Sequence, residues 1–267
     1  EIMRAIYRPL YLNETPILIT TPETAEIIKY AANAFLATKI TFINEIARLC
    51  EVTGADVQEV SRGMGMDGRI GSKFLHAGPG YGGSCFPKDT KALAQTGRDL
   101  GAVQTVVESV IAANTNTKET LANRIIAELG GDLTGKIIGV LGVTFKPQTD
   151  DMRDAPSLTI LPMLQAAGAN IVAFDPVGTV TGQPLLPGVT FADQMYDVAN
   201  NADAIVILTE WNEFRALDLD RLADAMRTPI MFDFRNIYKP AEMIHTPFTY
   251  HSIGRVKTTP VAPKLRQ

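Results

Sequence analysis

Apolar and small residues recur with helical spacing over the first part of the chain. Thr20-Thr21-Pro22-Glu23 combines threonine caps, a proline and an acid, which is typical of a helix start. Alanines and large apolar residues continue from Ile27 through Leu49, and Gly54 offers the C-cap. Such a helix would be about 45 Å long. Because most of its circumference is apolar, we expect neighbouring elements and a symmetry mate to cover it.

Further along the chain the period changes. Helical segments are predicted near 56–64, 89–100, 103–113 and 114–129, and short apolar runs typical of buried parallel strands follow at 136–142, 171–174, 204–209 and 230–233. Helical stretches at 157–167, 194–199 and 219–226 separate these runs. We therefore predict an α/β chain with a central all-helical dimerisation domain, built on the long helix, followed by a doubly wound Rossmann-like parallel sheet.

This pattern divides the chain into four parts. Residues 1–20 precede the long helix, 21–115 would form the helical domain and 116–256 the sheet domain. The prolines and charges of 257–267 indicate a flexible tail. Ligands of doubly wound sheets bind beyond the carboxyl ends of the strands, so we expect 142–146 and 233–235 to lie at a ligand site.

Composition narrows the class of protein. A net charge of −4 provides no basic field for nucleic acid, and no apolar run is long enough to span a membrane. The chain does not open with a signal-peptide pattern, and two cysteines do not make a disulfide framework. Three scattered histidines favour no metal site. We expect a cytoplasmic protein.

The segment from Gly80 to Asp89 is the most informative one for chemistry. It places Cys85 in a glycine-rich loop, with Lys88 and Asp89 within the next helical turn. Glycines allow close backbone approach to a substrate, and a nearby ammonium favours the thiolate form of cysteine. The alternative is an inert, buried cysteine. Cys50, which lies on the long helix without such neighbours, is expected to be a packing residue.

The long helix carries a second pair of polar residues. Lys29 and Asn33 are four residues apart and therefore share one face of an otherwise apolar helix. Their side chains either reach out to solvent or donate hydrogen bonds to an anionic group.

Together these motifs resemble those of the UDP-glucose/GDP-mannose dehydrogenase family. The resemblance rests, in chain order, on Ile28-Lys29-Tyr30-x-x-Asn33, Arg69-Ile70-Gly71, the cysteine loop and Phe145-Lys146-Pro147-x-Thr149-Asp150-Asp151-x-Arg153. It implies a four-electron oxidation of UDP-glucose to UDP-glucuronate by NAD, through a cysteine thiohemiacetal and thioester. The alternatives are another nucleotide sugar, such as GDP-mannose or a UDP-N-acetyl sugar, or, for this chain alone, a non-catalytic nucleotide-binding or dimerisation module.

The resemblance also implies residue roles. Cys85 would be the nucleophile, Lys29 and Asn33 would stabilise the oxyanion, and Asp89 would orient Lys29 or the hydrolytic water. The implied substrate contacts are Phe74, Leu75, His76 (through its backbone), Tyr81, Gly82, Phe145, Lys146 and Arg235, with Arg69 reaching into the site of a neighbouring subunit of a homodimer. Lys88 and Arg153 match positions that contact the cofactor.

The family's NAD-binding domain has no counterpart here. That domain begins with a strand leading into Gly-x-Gly-x-x-Gly, and no such strand and fingerprint open this chain. Residues 1–10 instead resemble the last helix of that domain, which implies that 1–20 are the end of that domain and a linker. We therefore expect the NAD-binding domain and its general-base glutamate to precede this chain in a longer protein, and we expect no turnover by this chain alone.

Overall fold

A computed structural model describes residues 1–10 and 17–261. The first region is helical, with α1 (Ile2–Tyr7), a 3-10 turn (Arg8–Leu10), α2 (Pro22–Thr53), α3 (Val57–Gly65), α4 (Phe86–Asp99) and α5 (Thr105–Glu128). The remainder contains β1 (Ile137–Leu141), α6 (Ser157–Ala166), β2 (Asn170–Phe174), α7 (Thr179–Gly182), β3 (Val189–Phe191), β4 (Ala204–Ile207), α8 (Leu219–Ala225), β5 (Ile230–Asp233), α9 (Pro240–Met243) and β6 (Thr249–Ser252). Two 3-10 segments, Met195–Ala199 and Asn212–Ala216, flank β4.

The long helix α2 begins and ends where the sequence predicts. Thr21 is its N-cap and accepts a hydrogen bond from the Thr24 amide at 3.3 Å, Pro22 occupies the first turn, and Gly54 ends the helix with a φ of 80°. Only glycine adopts such a left-handed φ without strain. The two helices predicted around residue 114 are instead one continuous helix, α5, so the predicted boundary at 115/116 falls inside it.

The second region confirms the predicted doubly wound parallel sheet. Its strand order is β3-β2-β1-β4-β5-β6, and every neighbouring pair is parallel. The chain reverses its direction of winding between β1 and β4, where Gly139 pairs with Ile205. Ligands of such sheets bind beyond the carboxyl ends of the strands at this switch point. Residues 142–146, which follow β1 directly, lie there.

Two strands and part of the tail differ from the prediction. β3 has only three residues, and β6 mixes polar residues with Tyr250, so neither forms an apolar run that a sequence pattern reveals. The predicted flexible tail begins too early. Thr258 exchanges backbone hydrogen bonds with Tyr250 at 2.8 and 2.9 Å, and Lys257 pairs with Glu128 at 2.9 Å. The rest of the predicted tail, 262–267, lies outside the described residues, as does part of the predicted linker, 11–16.

The helical region and the sheet share one core. Ile43 of α2 and Ile125 of α5 are buried in the same cluster as Val140 of β1 and Phe232 of β5. A separate cluster, which includes Phe214, covers the opposite face of the sheet. Within the described ranges, no helix has both the length and the apolar character needed to cross a bilayer.

A polar clamp on α5 ties the cysteine loop to the sheet. The Asn114 Oδ1 accepts from the Tyr81 amide at 2.8 Å, and its Nδ2 donates to the Tyr81 carbonyl at 3.1 Å. One turn later, the Lys118 Nζ donates to the Asp154 carbonyl at 2.9 Å. Burial lowers the pKa of Lys118, partly offset by the charge of Asp154. We call Asn114 and Lys118 the α5 clamp.

The clamp predicts a specific stability loss. Asn114→Ala would leave the buried amide and carbonyl of Tyr81 without partners, which costs about 1–3 kcal/mol for each unsatisfied group. We expect it to lower the free energy of unfolding, measured by urea denaturation, by about that amount or more. Asn116→Ala is the matched control because Asn116 is exposed on the same helix. Equal stabilities of the two variants would contradict the role of the clamp.

Candidate functional site

A buried carboxylate lies at the start of α4. Asp89 is only 1% exposed, and its Oδ2 accepts a hydrogen bond from the Asn33 Nδ2 at 2.5 Å. The Lys88 Nζ lies 3.0 Å from its Oδ1, and the Lys29 Nζ lies 3.7 Å from its Oδ2. Lys29 and Asn33 are thus directed to one anionic group, and α2 is tied to α4.

The surroundings of Asp89 keep it ionised. Burial alone would raise the pKa of this carboxyl group. Hydrogen bonds from Lys88 and Asn33, together with the charges of Lys88 and Lys29, outweigh that effect, and the pKa lies below its ordinary value. The hydrogen bond to Asp89 likewise raises the pKa of Lys88. The carboxylate is therefore a permanent negative charge at neutral pH, facing Lys29.

Cys85 lies one helical turn from this cluster. It is the residue before α4, its carbonyl accepts from the Asp89 amide at 2.8 Å, and its side chain is exposed. The Ser84 Oγ is 3.6 Å from its Sγ. Cys50, in contrast, is buried in the shared core, as predicted, and burial raises the pKa of its thiol. The two cysteines therefore differ sharply in access to solvent.

A cleft of about 700 Å³ lies between the cysteine loop and the carboxyl ends of the strands. Of the predicted substrate residues, Phe74, His76, Tyr81, Gly82, Phe145, Lys146 and Arg235 line it. Phe86, which follows Cys85, also lines it and packs edge-on against the rings of Phe74 and Tyr81, at centroid distances of 6.0 and 6.1 Å. Cys85 itself is not among the lining residues, but its chain neighbour Phe86 belongs to this aromatic wall.

Two predicted substrate residues lie elsewhere. The Leu75 side chain is packed in the shared core, and its carbonyl accepts from the Ser61 hydroxyl at 2.5 Å, so it does not line this cleft. The Arg69 side chain is 89% exposed and forms an ion pair with Asp67, 2.5 Å away. Within the described part of this chain, Arg69 does not reach the cleft. Its predicted role across a subunit interface stays a prediction.

Lys88 and Arg153, the predicted cofactor contacts, both lie on the cysteine side. Arg153 is paired with Asp151 by two hydrogen bonds at 2.8 and 2.9 Å. The pKa of Arg153 is raised, first by the hydrogen bonds to Asp151 and also by the charge of that carboxylate. Both cations are largely exposed, with side-chain exposures of 70% for Lys88 and 68% for Arg153.

Glycines bring the two halves of the site together. A methyl group added at Gly82 would lie 2.5 Å from the Asp154 carbonyl, and one added at Gly83 would lie 2.7 Å from the Phe145 ring. Both distances are well below van der Waals contact. The Gly83 amide also donates to the Arg153 carbonyl at 2.7 Å. The cysteine loop can therefore touch the loop after β1 only because these residues have no side chain.

Asp175, which the sequence analysis missed, organises the loop after β1. Its Oδ2 accepts from the amides of Val143 and Thr144 at 2.8 and 3.2 Å. The Trp211 Nε1 donates to the same oxygen at 3.3 Å, so the loop after β4 is held as well. The signal available in the sequence was the position of this aspartate directly after the apolar strand β2. The carboxyl ends of parallel strands meet at one edge of the sheet, so such a residue is expected near the ligand site.

The charges of the cleft suit an anionic ligand. Lys73, Lys146, Arg215 and Arg235 line it against a single carboxylate, Glu210. Aromatic walls and clustered cations are the groups that bind a base and a diphosphate. Among the described residues, no three His, Cys, Asp or Glu side chains cluster closely enough to hold a metal ion.

Comparison with known proteins gives relatives along nearly the whole chain. A UDP-glucose 6-dehydrogenase of Rhizobium meliloti is 56% identical over 255 residues, which are 96% of this chain and 58% of that protein. One from Bacillus subtilis is 44% identical over 259 residues, which are 97% of this chain and 58% of that protein. The chain therefore spans less than two thirds of the length of these relatives.

Solved structures show the same fold. A UDP-glucose dehydrogenase from Pyrobaculum islandicum matches with a TM-score of 0.83 and 31% identity, over 95% of this chain and 56% of that one. An NDP-N-acetyl-D-galactosaminuronic acid dehydrogenase from Methanosarcina mazei matches with a TM-score of 0.76 and 30% identity, over 87% of this chain and 51% of that one.

Two matched regions account for most of the chain and for both halves of the site. Residues 23–116, which include the Asp89 cluster and Cys85, match the central domain of the UDP-glucose/GDP-mannose dehydrogenase family. Residues 139–240, which include Phe145, Lys146 and Arg235, match the UDP binding domain of the same family. On these matches, the chain belongs to the UDP-glucose/GDP-mannose dehydrogenase family.

Proposed function

We propose that this chain forms the catalytic-cysteine and nucleotide-sugar part of an NAD-dependent enzyme that oxidises UDP-glucose to UDP-glucuronate. One observation carries the proposal: an exposed Cys85 lies one turn before the buried Asp89 and directly before Phe86, which lines a cleft of aromatic rings and cations. The relatives named UDP-glucose 6-dehydrogenase support the choice of substrate. A nucleophile, oxyanion donors and an anion-binding cleft are the parts that this reaction needs.

Each group of the site then has a task. Oxidation of the sugar's C6 alcohol gives an aldehyde, and the Cys85 thiolate adds to the aldehyde carbon to form a thiohemiacetal. Loss of a hydride converts this adduct to a thioester, and water cleaves it to the acid and the free thiol. Lys29 and Asn33 each keep N–H groups beyond those that face Asp89, and these stabilise the oxyanion. Asp89 holds Lys29 in place through its charge.

When bound, NAD would provide the hydride acceptor for both oxidations. The residues present fit a cofactor beside the cysteine, because Lys88 and Arg153 are exposed cations on that side of the site. They would meet its phosphates or carboxamide. The remaining cofactor contacts belong, in this proposal, to an NAD-binding domain outside this chain, and the chain alone would bind the nucleotide sugar without turning it over.

Another nucleotide sugar is the alternative substrate. The Methanosarcina mazei protein, whose name refers to an N-acetyl sugar, shares the fold at 30% identity. An assay of the full-length enzyme with NAD and a panel of UDP-glucose, GDP-mannose and UDP-N-acetyl sugars separates these possibilities. We expect UDP-glucose to give the highest kcat/KM.

The proposal includes a homodimer built on α2. Ile28, Phe35, Phe42 and Leu49 recur every seventh residue, so they form one stripe along the helix, and each is at least 45% exposed. An apolar stripe of this length on a soluble domain marks an interface. We infer that a second copy covers it and that Arg69 reaches the neighbouring cleft.

The exposed thiol predicts selective alkylation. Iodoacetamide should modify Cys85 at least tenfold faster than Cys50, because Cys50 is only 3% exposed. Mass spectrometry of tryptic peptides measures both rates in one sample, with Cys50 as the internal control. In the full-length enzyme, Cys85→Ser should bind UDP-glucose but release no acid. Equal labelling of the two cysteines, or an active serine variant, would rule out the covalent route.

The shared site predicts complementation between inactive subunits. Full-length Arg69→Ala and Cys85→Ser enzymes should each be nearly inactive, and mixing them should restore activity through hybrid dimers with one intact site. Arg98→Ala is the control, because Arg98 is another partly exposed, ion-paired arginine of the helical region. Subunit exchange is confirmed by native mass spectrometry. No recovery after exchange would contradict the role of Arg69.

The location of the cleft predicts which nucleotide this chain binds by itself. UDP and UDP-glucose should raise its melting temperature in proportion to RT ln(1 + [L]/Kd), whereas NAD at the same concentration should not. Lys146→Ala should weaken UDP binding by about tenfold, because it removes a charge-assisted contact. Lys239→Ala, which removes an exposed lysine away from the cleft, should not. Binding of NAD without UDP would reverse the assignment of the two nucleotide sites.

A further inference from the structure

Glu210 is the one carboxylate among the described residues that line the cleft. It lies three residues beyond β4, at the switch point of the sheet. Its Oε1 forms an ion pair with the Arg235 Nη2. Its Oε2 is buried and accepts no hydrogen bond from any residue that the structure describes. Because buried carboxylate oxygens are normally satisfied, this oxygen has an acceptor position left for a donor that the described residues do not supply.

The position of Glu210 is fixed from two sides. Trp211, the next residue, donates its indole N–H to Asp175, and Thr209, the preceding one, donates its hydroxyl to the Thr144 carbonyl at 2.6 Å. The carboxylate therefore stands on a segment tied to the loop that carries Phe145 and Lys146. A group held in this way is preorganised for a ligand rather than free to turn into solvent.

Arg235 is equally constrained. Its backbone amide donates to the Asp233 Oδ1 at 3.0 Å, and its side chain is only 19% exposed. The Nη1 lies 3.2 Å from the place where a side chain on Gly78 would begin, so the guanidinium packs against the backbone just before the cysteine loop. Glu210 thus holds the arginine between the two halves of the site. A free guanidinium in this cleft would bind any phosphate.

The charge of Glu210 decides which part of a ligand it can meet. A carboxylate repels phosphate oxygens, so its free oxygen selects a neutral donor. The donors of a nucleotide sugar that suit a carboxylate are the hydroxyl groups of its ribose and of its hexose. Phosphate binding by Lys146 and Arg215 and hydroxyl binding by Glu210 would then operate side by side in one cleft.

We infer that Glu210 is a specificity-determining residue whose Oε2 accepts a hydrogen bond from a sugar hydroxyl of the bound nucleotide. This inference rests on the proposed function, since it names a further contact of the same nucleotide-sugar site. It requires that removal of Glu210 abolish the preference for the hydroxyl-bearing ligand. Affinity for the phosphates themselves is not lost, because the cations of the cleft stay in place.

A cycle of ligands and variants tests the contact. Titration calorimetry on this chain compares UDP with 2′-deoxy-UDP and 3′-deoxy-UDP, and UDP-glucose with UDP, for the wild type, Glu210→Ala and Glu213→Ala. If the ribose is the donor, the wild type should bind one deoxy analogue about tenfold more weakly than UDP, since a hydrogen bond to a charged group is lost. If the hexose is the donor, the wild type should prefer UDP-glucose to UDP by a similar factor.

Glu210→Ala should abolish whichever difference the wild type shows. Glu213→Ala should keep it, because Glu213 is exposed three residues further on. Glu210→Gln gives a second readout if the alanine variant does not fold. Its neutral amide oxygen is a weaker acceptor than a carboxylate, so the difference should shrink without disappearing.

The outcomes separate this inference from the proposed function. A wild-type chain that binds none of the uridine nucleotides would overturn both. A wild type that discriminates between the ligands, with a Glu210→Ala variant that discriminates equally well, would overturn the role of Glu210 and leave the proposed function standing. A wild type that binds all of these ligands equally would also overturn the role of Glu210.

Discussion

The contact between the Gly82-Gly83 backbone and the loop after β1 is the constraint on which the rest of the site depends. The backbones and the Phe145 ring come so close that a methyl group on either glycine would overlap them. The α5 clamp secures the same contact with hydrogen bonds to Tyr81 and Asp154. Because Cys85 follows two residues later, this contact fixes the cysteine relative to the cleft of the sheet.

Charge is distributed over the site in two different ways. Around the cysteine, a buried carboxylate, Asp89, organises Lys29, Lys88 and Asn33, and its pKa is low although burial opposes ionisation. In the cleft, cations predominate around Glu210. The first arrangement suits stabilisation of a negative charge that develops during a reaction, and the second suits a bound diphosphate.

The sequence predicts the parts of the fold that depend on local patterns. Composition and periodicity predict the caps and length of α2 and the four apolar strands. These features depend on residues that are close together in the sequence. β3 and β6 were missed because they are short or polar and become strands only by pairing. Likewise Asn114 and Glu210 act through contacts between distant parts of the chain, so no local pattern revealed them. Asp175 had a local signal in its position directly after β2, but its partners Val143 and Trp211 are distant in sequence. The burial of the Leu75 side chain also depends on packing against distant parts of the chain.

A crystal structure of this chain with UDP-glucose tests the central claim most directly, because it locates the nucleotide relative to the cysteine. We expect the base and diphosphate in the cleft beside Phe145, Lys146 and Arg235, and the sugar C6 atom within about 3.5 Å of the Cys85 Sγ, a distance from which covalent attack can proceed. A nucleotide bound outside this cleft, or one whose sugar points away from Cys85, would contradict the account.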